Sequence, residues 1–216
     1  EATLIATLKD GSSNSSLAQP ITTKPELAYI QNNRVIMVAT GKLLATDDLD
    51  ASQQQSLYAL KDTLTSSSDL GNPRTNSDIK SRAFTQSITA GGKTIRTISG
   101  DSLNWSEDNG WYVDFTISKE RVNVDMQLQY NILTAATNIP ESNACTAGGY
   151  GWLYYLDIET GKALTTSPDL AAGYKLSSNS LVAGIKTVKL QNDKTVTIVT
   201  DTLGDSTVQS APSPTG

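Results

Sequence analysis

The sequence predicts an all-β protein forming part of a β-propeller, and three observations carry that expectation. Short apolar strands closed by an aspartate recur along the chain. Two-strand units with polar turns stand between them. Few stretches read as helix. The aspartate-ended strands are residues 4–10, 56–62, 110–114 and 152–157. Their closing residues Asp10, Asp62, Asp114 and Asp157 recur at intervals of about 40–50 residues, the period of a blade built from several short strands. A plain antiparallel sandwich with coincidental spacing is the alternative.

Taken in order, the first strand ends at Asp10. A two-strand unit over 24–40, turning at Asn32-Asn33, leads to the strand 56–62. The next stretch, 63–78, holds Ser66-Ser67-Ser68 and Gly71-Asn72-Pro73 and reads as an exposed, mobile inter-blade loop. A unit over 83–99 with its turn at Gly91-Gly92 precedes 110–114, and one over 122–138 precedes 152–157. The last hairpin, 181–200, turns at Asn192-Asp193 and has no aspartate-ended strand after it. Ser, Thr, Pro and Gly dominate from Ser206 onward, so 206–216 is expected to be a flexible tail and 1–205 the propeller portion. The total is about three complete blades with a partial blade at each end, whereas propellers close with about four to eight. An open arc leaves sheet edges and apolar faces in water, so the chain is expected to meet the remainder of its own propeller or a second copy. Because a strand-like segment opens directly at Leu4, the chain reads as an internal or carboxy-terminal piece of a longer precursor.

Composition narrows the functional classes. Charged residues make up 18% of the 216 residues, below the roughly 25% of ordinary domains. Ser, Thr, Asn and Gly fill the difference, as suits a secreted β protein dense in turns. A net charge of −5 argues against a nucleic-acid groove, which needs a basic stripe. No apolar run approaches the length of a membrane-spanning helix. Histidine is absent, which removes Ser-His-Asp and Cys-His arrangements and histidine metal sites. No Gly-rich phosphate loop opens a helix. The expectation is a protein that is not an enzyme. Cys145 stands alone in a polar loop, so a free thiol and a disulfide to sequence outside this chain both remain open.

Two sets of residues stand out as candidates. Asp47, Asp48 and Asp50 share one loop and could supply two or three of the oxygens that calcium takes. They lack the spacing of a complete calcium loop, and capping of a following turn accounts for them equally well. The second set is the repeated blade motif: Tyr58 and Asp62; Trp111, Tyr112 and Asp114; Trp152, Tyr154 and Asp157. Trp105, Trp111 and Trp152 could line a pocket. Yet Trp111 and Trp152 begin aspartate-ended strands in matching register, and residues repeated at one blade position pack between blades. Both are therefore expected to be buried in equivalent places.

Several runs resemble the propeller of the PilY1/PilC proteins of type IV pili. They are Pro20-Ile21-Thr22-Thr23-Lys24-Pro25-Glu26-Leu27, Val38-Ala39-Thr40-Gly41-Lys42-Leu43-Leu44, Gln54 to Asp62, Gly110 to Phe115 followed by Glu120-Arg121-Val122, and Ala135 to Pro140 through Cys145 to Tyr154. The resemblance runs in order over nearly the whole chain. It implies an extracellular protein at the pilus tip or outer membrane surface of a Gram-negative bacterium. Such a protein promotes pilus assembly, opposes retraction, aids adhesion to host or abiotic surfaces, and works with minor pilins. It also implies a calcium loop upstream of the residues present here, with no cofactor in this chain. The Arg-Gly-Asp motif of some members is absent. A quinoprotein-like dehydrogenase, or another propeller binding scaffold, is the alternative, because such blades also carry Leu-Tyr-x-Leu-Asp strands followed by Thr-Gly, as at 153–161.

Overall fold

The computed structural model describes residues 3–64, 69–141, 148–177, 179–192 and 194–213. Among them the chain is mostly β, with helix confined to three short 3-10 turns. The strands are β1 (Glu26–Ile30), β2 (Asn33–Ala39), β3 (Ser56–Asp62), β4 (Ile79–Ile88), β5 (Thr94–Ser99), β6 (Gly110–Asp114) and β7 (Gln127–Gln129). They continue with β8 (Ile132–Pro140), β9 (Gly149–Asp157), β10 (Gly173–Lys175), β11 (Val182–Lys189), β12 (Thr195–Asp201) and β13 (Ser206–Ser210).

Strands β1 to β10 form one sheet in the order β1-β2-β3-β6-β4-β5-β10-β9-β8-β7, and β11-β12-β13 form a second. The ten-stranded sheet is nearly closed and barrel-like. Its two ends approach where the Lys24 backbone N–H, just before β1, donates to Asp125 Oδ1, just before β7, at 2.9 Å. Two tight hairpins fix the register at those ends. Gln31-Asn32 join β1 to β2 with φ of 47° and 67°, and Tyr130-Asn131 join β7 to β8 with φ of 51° and 62°. Paired left-handed residues give a turn whose twist matches the strands, and asparagine tolerates that region better than most residues.

Period-two alternation distributes the core. On β3, Leu57 and Ala59 face the barrel interior, while Tyr58 and Leu60 face the opposite side against Leu8 and Ile79. On β9, Trp152, Tyr154 and Leu156 point inward, while Leu153 and Tyr155 pack toward Val182 and Val199 of the second sheet. Strands covered on both faces lose the polar alternation of a half-exposed strand and read as near-continuous apolar runs. That is why β8 and β9 are buried along almost their whole length.

The structure corrects the expected repeat. β6 is not in a separate unit from β3: the two pair directly, with Ala59 opposite Trp111. The four-stranded antiparallel runs are β1-β2-β3-β6 and β7-β8-β9-β10, and the β4–β5 hairpin is inserted into the first. The inserted hairpin joins the runs, because residues 79–82 of β4 lie parallel to β6 and residues 83–88 turn away to pair with β5. Spacing alone cannot reveal such an insertion, since it has the length of a unit. The segment 4–10 is also no regular strand. It bridges at Lys9 to Ala18 and exchanges backbone hydrogen bonds with Leu70 and Gly71. Within the stretch 206–216 expected to be a tail, Ser206–Ser210 form β13 and pair with β12, and residues 214–216 lie outside the described residues.

Candidate functional site

Side chains from three other segments converge on the turn after β9. Asp157 Oδ1 accepts from the Thr160 backbone N–H at 2.7 Å and from its hydroxyl at 2.9 Å, and the Gly161 N–H reaches the Asp157 carbonyl at 2.9 Å. Aspartate closing a strand and capping the next turn is a local device that needs no tertiary partner. The carbonyls of Ile158, Glu159 and Thr160 are then taken by side chains from earlier in the chain. Trp111 Nε1 donates to Ile158 O at 3.0 Å, Trp105 Nε1 to Glu159 O at 2.8 Å, and Arg82 Nε to Thr160 O at 2.9 Å. Trp105 and Trp111 are fully buried, so each indole adds a large apolar contact to its hydrogen bond.

A second cluster lies on the opposite face of β3 and β6. Arg74 makes a bidentate pair with Asp114, with Nη1 to Oδ2 at 2.7 Å. It also donates to Ser56 Oγ at 2.8 Å and lies 5.0 Å from the Tyr112 ring centroid. Ser56 Oγ donates to Asp114 in turn, and Tyr58 OH donates to Gln19 Oε1 at 2.6 Å. Burial pushes the Tyr58 hydroxyl up to about 12, against the nearby Arg74 charge, so it stays a neutral donor. Three motif residues, Tyr58, Tyr112 and Asp114, therefore meet around an arginine from outside the motif. That arginine sits in the stretch expected to be a mobile loop. Residues 65–68 of the stretch lie outside the described residues. The rest is anchored, with Pro73 buried, Arg74 Nε on Lys9 O at 2.6 Å and Asn72 on Gly11 O at 2.8 Å.

The third cluster is inside the barrel. Arg96 and Glu120 form a fully buried ion pair at 2.8 Å. Glu120 Oε1 also accepts from Thr137 Oγ1 at 2.8 Å and from Tyr154 OH at 2.7 Å, and Arg96 Nη1 contacts that same hydroxyl. The guanidinium lies 4.1 Å from the Trp152 ring centroid, and its Nε and Nη2 find no hydrogen-bond partner among the described residues. The indole face takes their place as a cation–π partner. Burial, reinforced by the Glu120 charge, holds the Tyr154 hydroxyl well above its ordinary value. Trp152 is thus buried like Trp111, but the two positions are not equivalent. Trp152 lies on the third strand of its run against Arg96, and Trp111 on the last strand of the other run against a turn.

The three loop aspartates do not converge on one point. Asp48 is buried and accepts from the Leu44 and Ala45 backbone N–H groups at 2.8 and 3.0 Å, with Lys42 at 3.0 Å. The Leu44 N–H and the Lys42 ammonium hold its carboxyl down at about 2. Asp50 turns outward to Lys119 at 2.8 Å, and Asp47 is exposed. Arg121 fastens the loop from below, donating to the carbonyls of Lys42, Asp48 and Ala51. Asp62 caps its own turn through the Leu64 N–H at 2.9 Å. No group of three metal-ligating side chains gathers among the described residues, and Cys145 lies outside them.

Sequence reasoning missed the arginines. Arg74, Arg82, Arg96 and Arg121 each fasten one segment to another, and their one sequence signal is a low charge content with arginine next to strand residues. It also missed Asp201, which ends β12 and caps its turn through the Leu203 and Asp205 N–H groups, both at 3.0 Å. The signal was present as Thr200-Asp201 after a β-branched run.

No protein-family model matches this chain. It is similar to the type IV pilus biogenesis factor PilY1 of Pseudomonas aeruginosa. In strains PAO1 and PAK the identity is 28% over 164 residues, covering 67% of this chain and 14% of the relative. In strain UCBPP-PA14 it is 25% over 169 residues, covering 66% and 15%. The chain thus spans about one seventh of the length of the relatives it matches. No helix among the described residues is long and apolar enough to cross a membrane.

Proposed function

We propose that this chain is a non-catalytic structural module of a type IV pilus-associated protein at the surface of a Gram-negative bacterium. In this reading it supports pilus assembly, opposes retraction and contributes to adhesion. The carrying observation is its similarity to a pilus biogenesis factor over two thirds of the chain. The geometry is compatible with that role, because the motif aspartates, tryptophans and arginines are spent on fastening strands and turns to each other. The β1-β2-β3-β6 and β7-β8-β9-β10 runs and the β11-β12-β13 sheet are read here as successive blades of a propeller, packed face to face. Further blades, from the same polypeptide or a second copy, would cover the remaining faces, and minor pilins are the proposed partners. The test is to delete these residues from the gene and measure pilin sheared from the cell surface. Loss of surface pilin, restored when retraction is also disabled, is the expected outcome. Unchanged surface pilin would refute the assembly and retraction role.

A further inference from the structure

A groove of about 470 Å³ opens where the β4–β5 hairpin tip, the end of β10 and the edge strand β13 meet. Lys93 and Lys175 line it with Tyr150, Tyr174, Asn179 and Gln209, and among the described residues no carboxylate lines it. In a chain of net charge −5, a concavity with two ammonium groups and no acid is a local inversion of sign. Neither lysine forms an ion pair with a described residue, and both are exposed.

The walls are held in place. The hairpin tip is closed by Thr89, whose N–H donates to Lys93 O at 2.9 Å and whose hydroxyl accepts from the Lys93 N–H at 3.2 Å. Lys175 Nζ rests 4.4 Å from the Tyr150 ring centroid, and Tyr174 is set edge-on to Tyr155 with centroids 6.2 Å apart. Burial raises the Tyr150 and Tyr174 hydroxyls above their ordinary value. Aromatic faces, amide and hydroxyl groups, and two cations at one mouth match a ring that offers C–H faces, hydroxyls and a carboxylate together.

We propose that this groove binds a carboxylated sugar, a uronic acid unit of an acidic polysaccharide, with Lys93 and Lys175 at the carboxylate and the tyrosines and amides at the ring. The ligand sits on the side chains of this chain alone, so the proposal does not depend on the pilus assignment. Polymeric uronates would gain from repeated weak contacts.

The test is titration of the purified 216-residue chain with tri-galacturonate by calorimetry, beside its methyl ester, a neutral trisaccharide of the same length, and inorganic sulfate. Saturable binding to tri-galacturonate is expected, weakened roughly tenfold or more by K93A/K175A and by esterification. Circular dichroism confirms that the double variant is folded, and Tyr174→Ala should weaken binding without altering its salt dependence. Absence of saturable binding up to on the order of 10 mM, or equal binding by the folded double variant, would overturn the proposal. Displacement by sulfate at the same concentration as the sugar would overturn the carbohydrate assignment too, since it would reveal a general anion site.

Discussion

Gly161 lies flat against the indole of Trp111: a Cβ placed on it would come within 2.5 Å of the ring. Its φ of +65° is also one that side chains other than glycine rarely adopt. Two demands meet at one residue, because the same turn gives its Ile158 carbonyl to the Trp111 N–H. Substituting Gly161→Ala should cost about 2–4 kcal/mol, from backbone strain and overpacking together. Gly71→Ala is the control. Gly71 has a φ of +64° but no atom within 4 Å of the added carbon, so it should lose only about 1 kcal/mol. Urea denaturation of both variants separates the two terms.

The buried Arg96–Glu120 pair should behave as a unit. Arg96→Met or Glu120→Leu alone leaves a charge stranded in the interior and should cost about 3–5 kcal/mol. The double variant removes both charges and should lose less than the sum of the single losses, by more than about 1 kcal/mol. A double-mutant cycle on denaturation midpoints reads the difference.

Asp48 makes part of the stability pH-dependent. Its folded carboxyl titrates at about 2, below the 3.8 of an unperturbed aspartate. A depressed folded value means its contribution is complete above about pH 4 and disappears as pH falls toward 2. Asp48→Asn lacks that contribution at neutral pH. The gap between wild type and variant should therefore be widest near pH 7 and close on acidification. Equal midpoints for the two proteins at pH 7 would count against the anchoring of this loop.

The three clusters also explain what the sequence could convey. Local devices are legible, because their chemistry is complete within a few residues. Asp62 and Asp157 cap their own turns, and Asn32 marks the β1–β2 hairpin, whose turn falls at Gln31-Asn32, one position before the Asn32-Asn33 expected. Burial of Trp111 and Trp152 follows from their place in apolar strands. Their inequivalence could not be foreseen, because the inserted β4–β5 hairpin imitates a repeat in length and only pairing distinguishes it. Long-range partners were hidden for the same reason. Arg74 reaches Asp114 across 40 positions, and Trp105 reaches Glu159 across 54, with nothing nearby in sequence to mark either contact. The acidic loop read ambiguously as calcium ligands or turn caps until the backbone showed Asp48 facing N–H groups and Asp50 facing a lysine.

Fractionation of sheared pili from the encoding bacterium tests the proposed pilus association of this chain most directly. An epitope tag is placed after residue 213, just past β13, and the sheared material is probed for both tag and pilin. The tag should sediment with the pilus filaments and disappear from that fraction in a strain lacking the major pilin. A tag that stays with the cell body in piliated cells, with no trace on the filaments, would contradict it.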